Sequence, residues 1–339
     1  MKSKIFNKNR IYLAIGIGLS ISIYLAYSEI NRTDFISTWN TIHFTARTFL
    51  YLNLAIIMML FRDLGYILRI RQLTDKTLTW LQSLKVILMW EFASSVSPGV
   101  VGGSAVAMFI LKKEKINLGR STTIVITTTL LDNLFYVIAI PIVIFLIDIN
   151  HLLPADLQNY LTQFWFGYGL ILLITLILFT SLFAYPNLLK NILLLICKIP
   201  FLSKYKHQAN QVGLDIITAS QLLKGKTLLF WLKLMSATIL SWCSRFLVVN
   251  FILMAFVSIN LQTNLLIFGK QLVMWLILLV SPTPGGSGVA EYLFSTFLGE
   301  FLPLSALIIL TSILWRLISY YPYLFIGAFI LPKWLEKKA

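Results

Sequence analysis

Apolar runs long enough to cross a bilayer recur along the chain, separated by short segments rich in lysine and arginine. The pattern predicts helices over 11–28, 44–60, 121–147, 164–185, 228–259 and 304–331. Two more apolar stretches, 86–111 and 265–301, are interrupted in the middle. The first carries Ser97-Pro98-Gly99-Val100-Val101-Gly102-Gly103-Ser104, and the second Ser281-Pro282-Thr283-Pro284-Gly285-Gly286-Ser287-Gly288. Proline and glycine make poor helix interiors, so each stretch is expected to enter and return as a re-entrant hairpin. The predicted class is an all-α polytopic membrane protein of one domain, 1–339, with six full spans and two hairpins. Counting each broken stretch as a span gives eight and leaves both ends on the same side. The longest polar stretch, 186–227, holds the apolar run Ile192–Ile196 and reads as an amphipathic surface segment.

Composition narrows the class further. Hydrophobic residues make up 58% of the chain and charged residues only 12%, about half the charge of an ordinary soluble domain. The net charge of +15 would suit nucleic acid if it were gathered on one face. Instead it is spread through the connecting segments in the positive-inside pattern, so no nucleic-acid partner is expected. Lys2, Lys4, Lys8 and Arg10 precede the first helix; Arg62, Arg69, Arg71, Lys76 and Lys85 read as a basic inner loop after a span ending near Leu60. Lys333, Lys337 and Lys338 close the chain. The expected location is the bacterial inner membrane, with both termini cytoplasmic and the segment 11–28 a retained anchor. Cys197 and Cys243 sit in or beside apolar stretches, and His43, His151 and His207 are scattered without ligand spacing, so no disulfide, metal or cofactor is expected. Trp39, Trp165, Tyr321 and Trp334 read as interfacial anchors.

The two broken stretches resemble each other. Val96-Ser97-Pro98 matches Val280-Ser281-Pro282, and Gly102-Gly103-Ser104-Ala105-Val106-Ala107 matches Gly285-Gly286-Ser287-Gly288-Val289-Ala290. Charge places one copy entering from inside and the other from outside, the signature of an inverted repeat, with units near 41–148 and 228–331. Backbone groups freed by glycine and proline cannot face lipid, so both tips must line a cavity or be covered by protein. Helix N-termini beginning at Gly102, Gly103 and Ser104, and at Pro284, Gly285, Gly286 and Ser287, would offer amides and partial positive charge to an anion such as a lipid phosphate. The alternative is that glycine and serine only permit close helix packing.

Charged residues fall inside apolar segments, among them Glu91, Asp132, Arg245, Lys270, Glu291 and Arg316. Intramembrane charges face partners or cavities. Glu291 either complements the helix dipole or binds a cationic headgroup or coupling proton, and Glu91 mirrors it. Asp132 follows Ser104 by 28 residues (132 − 104) and Arg316 follows Ser287 by 29 (316 − 287). These opposite charges at similar places suggest a mutual ion pair, either static or opened by substrate. Arg245 either binds lipid phosphate or pairs with a carboxylate, and Lys270 is expected to snorkel toward the outer surface.

Pro282-Thr283-Pro284-Gly285-Gly286-Ser287-Gly288-Val289-Ala290-Glu291 resembles the Pro-x-Pro-Gly-Gly-x-Gly-x-x-Glu motif of the lysylphosphatidylglycerol synthase transmembrane-region family. Ile313-Leu314-Trp315-Arg316-Leu317-Ile318-Ser319-Tyr320 is similar to the helix that follows it there, and Leu130-Leu131-Asp132 to an earlier one. The resemblance spans nearly the whole chain. It implies movement of a lipid such as aminoacylated phosphatidylglycerol between leaflets, and it points to Gly285, Gly286, Glu291, Arg316 and Asp132. Where many members carry Gly-Glu and then Arg in the first hairpin, this chain reads Gly103-Ser104-Ala105-Val106-Ala107. No soluble aminoacyl-transferase domain is expected, so synthase activity is not. The expected partner is a phospholipid or lipid-linked substrate; a homo-oligomer is compatible with this reading. Two other readings stay open: a membrane-embedded lipid-modifying enzyme, and a non-transporting partner of a cell-envelope enzyme.

Overall fold

The computed structural model describes residues 42–97, 101–154, 161–279, 283 and 285–337, together with Gly16, Ser20, Tyr27 and Trp39. The first expected span, 11–28, therefore lies almost wholly outside the described residues. The described regular elements are helical. In order they are α1 (Ala46–Leu73), α2 (Trp80–Val96), α3 (Val101–Lys113), α4 (Leu118–Leu146), the short α5 (Ile149–Leu152), α6 (Leu161–Phe183) and α7 (Asn187–Ile196). After a 3-10 turn (Pro200–Tyr205) come α8 (Lys206–Leu223), α9 (Leu228–Met254), α10 (Leu261–Leu279), α11 (Val289–Leu298), a 3-10 turn (Gly299–Phe301), α12 (Ser305–Ser319) and α13 (Tyr321–Lys337).

Polar side chains in the connections start these helices. Thr45, Thr79, Asn117 and Thr227 each accept a hydrogen bond from an N–H of the first turn that follows them. At Thr79 the cap is reciprocal, because Gln82 Oε1 accepts from the Thr79 N–H at 2.9 Å. Among the described residues, six helical stretches are long and apolar enough to cross a membrane: Ala46–Leu73, Gly119–Leu146, Phe164–Phe183, Leu228–Met254, Leu261–Leu279 and Ser305–Gly327. Their outer faces carry exposed Leu, Ile and Phe, among them Phe145, Phe166 and Phe325. The chain is a multi-pass membrane protein.

Both broken stretches form helix–break–helix units. α2 packs on α3 across the first break and α10 on α11 across the second. The units are unequal. α10 has 19 residues, enough to span by itself, whereas α11 has 10 and reaches only about 15 Å, half of a ~30 Å hydrocarbon core.

α1 and α9 share the most extensive helix–helix contact among the described residues. A Cβ on Gly65 would overlap Ser241 Oγ and lie 2.6 Å from the Ala237 carbonyl oxygen, so glycine is what lets these backbones meet. Ser241 Oγ donates to the Arg62 carbonyl at 3.0 Å across this seam. Buried apolar residues form one cluster around α2, α3 and the first half of α4, and a second around α9 to α11 and the far half of α4. α7 buries none of its residues and α8 rests on α4 and α7, as the amphipathic reading of 186–227 expects.

The expected loop after Leu60 is instead helix: α1 continues to Leu73, and Arg62 and Arg69 are buried within it. Asp75, in the turn beyond α1, accepts from Arg120 at 2.5 Å and Lys226 at 3.0 Å. Slight burial pushes its carboxyl up, and these two partners more than reverse that, holding it below the ordinary aspartate value. Trp334, expected at the interface, is buried and donates its indole N–H to Glu114 at 2.8 Å. Lys270 does not snorkel to open solvent. Its side chain is buried, and its ammonium pairs at 2.8 Å with the half-exposed Glu300.

Candidate functional site

A cavity of about 330 Å³ lies where α1, α2, α4, α9, α10 and α12 converge with the two breaks. Ser97, at the end of α2, and Ser104, in α3, line it from the first broken stretch, and Thr283, Gly285 and Gly286 from the second break. The second break also touches the last turn of α2. Tyr320 Oη donates to the Ser95 carbonyl at 3.1 Å, and Gly285 packs between Tyr320 and that same carbonyl. Gly285 and Gly286 have φ of +58° and +68°, a region that side-chain-bearing residues rarely adopt.

Sequence spacing sets which charges reach the cavity. Arg62, Tyr66 and Arg69 stand at i, i+4 and i+7 and share one face of α1; Thr238, Trp242 and Arg245 do the same on α9. Arg62 forms ion pairs with Glu91 and, at 3.1 Å, with Asp63. Its guanidinium lies 4.9 Å from the Tyr66 ring centre and 4.8 Å from that of Tyr323. Tyr323 Oη donates to Asp63 at 2.7 Å. Arg245 reaches the same Glu91 oxygen at 3.6 Å. Arg62 and Arg245 each stand 42 residues before the serine of their own tip (104 − 62 and 287 − 245). Two arginines at the same offset from the two glycine-serine motifs therefore reach one carboxylate.

The second cluster centres on Asp132. Its carboxylate accepts from Arg69 at 2.5 and 3.3 Å and from the Trp242 indole at 2.8 Å. The third joins Glu291 to Arg316 through bonds of 3.0 and 3.2 Å. Glu291 also accepts from the Gly288 N–H at 2.7 Å, and Arg316 donates to the Gly285 carbonyl at 3.2 Å. The Glu291–Arg316 pair thus fixes the shape of the glycine turn and caps α11 at the same time.

Several expectations change here. Asp132 and Arg316 line one cavity but do not pair with each other, because Arg69 and Glu291 are nearer partners for them. Ser287 is fully buried and is not among the lining residues. The first free amide of α11 is taken by Glu291 and so is not offered to an anion. Gly102 lies in the first turn of α3, Gly103 packs on Ser94, and Pro284 lies outside the described residues. Arg245 and Glu91 face the cavity, and Tyr66 and Arg69 join them, while Arg62 and Asp63 back Glu91 from outside the lining. The i, i+4, i+7 spacing of Arg62, Tyr66 and Arg69 was the signal for the additions, and their reading as a basic loop concealed it.

Buried arginines of this kind are costly unless fully engaged. Within this site the arginines are Arg62, Arg69, Arg245 and Arg316, and the carboxylates Asp63, Glu91, Asp132 and Glu291, so the charges balance. Arg245 is the least tightly held of the four. Its Nε makes no hydrogen bond within the protein, and its guanidinium rests against Trp242 and Trp275, 5.1 and 4.7 Å from their ring centres.

Among proteins of known sequence, the model of the family described as Lysylphosphatidylglycerol synthase TM region matches residues 11–327. A "UPF0104 membrane protein" of Archaeoglobus fulgidus is 24% identical over 330 residues, covering 92% of this chain and 94% of that relative. No solved structure matches this chain.

Proposed function

This chain belongs to the Lysylphosphatidylglycerol synthase TM region family, and from that premise we propose that its cavity receives the polar headgroup of a membrane lipid as the lipid moves between leaflets. The observation that carries this reading is the cavity itself: charged, lined by both broken stretches, and set inside a bundle whose outer faces are apolar. A headgroup crossing hydrocarbon needs polar partners along its route. The acyl chains can stay in lipid beside the exposed Leu and Phe faces.

In this reading the two units, 41–148 and 228–331, rock against each other along the α1–α9 seam. The broken stretches act as re-entrant gates, one for each leaflet, and the basic connections, including both termini, face the cytoplasm of the bacterial inner membrane. Transport is favoured over lipid-modifying chemistry because every carboxylate of the site is engaged by an arginine. That arrangement neutralises charge and leaves none of these groups free as acid or base.

The test is leaflet exchange. Purified protein is reconstituted into vesicles carrying phosphatidylglycerol with a fluorescent headgroup, and a membrane-impermeant quencher is added outside. Exchange makes the inner-leaflet probe accessible as well. Arg316→Gln, which removes the bonds fixing the glycine turn, is expected to slow exchange about tenfold or more, in line with ~1.5–3 kcal/mol for charge-assisted hydrogen bonds. Quenching confined to the outer leaflet with the unaltered protein would contradict the proposal.

A further inference from the structure

Three polar groups around Trp242 make no hydrogen bond within the protein: Arg245 Nε, the Trp275 indole N–H and the Tyr136 hydroxyl. All three residues line the cavity. Tyr136 is only 2% exposed. The Tyr136 and Trp242 rings lie 5.0 Å apart and the Trp242 and Trp275 rings 5.2 Å apart, and the Arg245 guanidinium rests on both tryptophans, so the three residues surround Trp242. A buried donor without an acceptor costs about 1–3 kcal/mol, and three together need an explanation.

The chemistry of the cluster specifies what would satisfy it. Two of the groups, the guanidinium and the indole, can only donate, and the hydroxyl can donate. Arg245 brings a positive charge that its 3.6 Å approach to Glu91 engages weakly, since the same Glu91 oxygen already pairs with Arg62. An oxyanion with several acceptor oxygens fits this set: a phosphate or phosphodiester. A cationic amine does not fit. Glu91, Asp132, Asp63 and Glu291 are each held by an arginine, so an ammonium group would have to displace one of them.

We infer that Arg245, with Tyr136 and Trp275, forms the phosphate subsite of this cavity, and that the headgroup it selects is anionic rather than aminoacylated. The inference rests on the lipid-transport reading for its lipid source but not for its geometry. On binding, the phosphate takes Arg245 from Glu91, and Glu91 keeps its ion pair with Arg62. Arg62 also faces Asp63, so the occupied site carries one net negative charge.

The experiment is thermal unfolding of the purified full chain with added ligand, since a ligand that binds the folded state raises Tm by mass action. The probes are short-chain phosphatidylglycerol, short-chain phosphatidylcholine, short-chain lysyl-phosphatidylglycerol and inorganic phosphate, against unaltered protein, Arg245→Gln and Tyr136→Phe. Phosphatidylglycerol is expected to raise Tm most. Arg245→Gln should weaken its apparent affinity about tenfold or more and Tyr136→Phe a few-fold, since one charge-assisted bond is worth ~1.5–3 kcal/mol and 1.4 kcal/mol is a factor of ten. Tyr136→Phe removes a single hydroxyl and keeps the assay decisive if Arg245→Gln does not fold.

Equal stabilisation by lysyl-phosphatidylglycerol would overturn the anionic selectivity. Affinity unchanged in both variants would overturn the subsite. Inorganic phosphate binding as well as phosphatidylglycerol would overturn the lipid as source. If phosphatidylglycerol binds through Arg245 while the vesicle assay shows no exchange, the subsite stands and transport fails. If exchange proceeds and both variants bind normally, transport stands and the subsite fails.

Discussion

Replacing Arg62 with alanine is expected to lower the stability of the folded chain by about 3–5 kcal/mol, the cost of leaving buried charges without their partner. Arg62 is fully buried, and it faces two carboxylates, Glu91 and Asp63, and two aromatic rings. Its loss leaves Asp63 with the Tyr323 hydroxyl and Glu91 with a distant Arg245. The expected outcome is a large fall in the unfolding midpoint of the detergent-solubilised protein, or failure of the chain to accumulate. Combining Arg62→Ala with Asp63→Asn should recover much of the loss, because Glu91 keeps Arg245 and the charges of the site balance again. Arg245→Ala should cost far less than Arg62→Ala, although both arginines touch Glu91, since Glu91 then keeps its closer partner. Equal losses from the two substitutions would show that Arg62 is not the anchor of the network.

The second large effect is expected at the glycine turn. Gly285→Ala imposes two penalties. A side chain at φ +58° costs about 1–2 kcal/mol, and its Cβ would overlap the Tyr320 ring and sit 2.8 Å from the Ser95 carbonyl, an overpacking worth about 1–3 kcal/mol. Gly286→Ala bears the first penalty, at φ +68°, but its Cβ meets nothing closer than 3.2 Å, at Leu278. Gly285→Ala should therefore destabilise clearly more than Gly286→Ala. Tyr320→Ala should relieve the part of the Gly285→Ala loss that the ring imposes and leave the backbone part and the Ser95 contact. Similar losses from both glycines would mean that the second break does not press on Tyr320 and the end of α2 as the structure has it.

These effects also show where the sequence was readable. The apolar runs gave the helices, and the Pro-Gly interruptions gave both breaks, because helix propensity and span length act locally. Glu291 lies three residues after its cap glycine and Arg316 one helix further on, so their importance was legible, yet their pairing was not. The offset match between Asp132 and Arg316 suggested a bond that tertiary packing gives to Arg69 and Glu291 instead. Arg62 and Arg69 were hidden for another reason. Hydropathy treats a charge as the end of a span, whereas here stacked tyrosines and facing carboxylates let α1 carry two arginines through its buried half. Trp334 and Lys270 were misplaced by the same rule, since each finds an acidic partner, Glu114 or Glu300, that only the fold supplies.

The account as a whole requires that the chamber between the breaks be open to water from each side of the membrane in turn. Ser104 lines it, and Cys197 and Cys243, the chain's only cysteines, can be replaced by serine and alanine. A Ser104→Cys substitution in that background, in sealed vesicles of known orientation, is exposed to an impermeant maleimide from outside or loaded within. Labelling from both sides is the predicted result, slowed by short-chain phosphatidylglycerol. A cysteine at this position that reacts from neither side would contradict the claim.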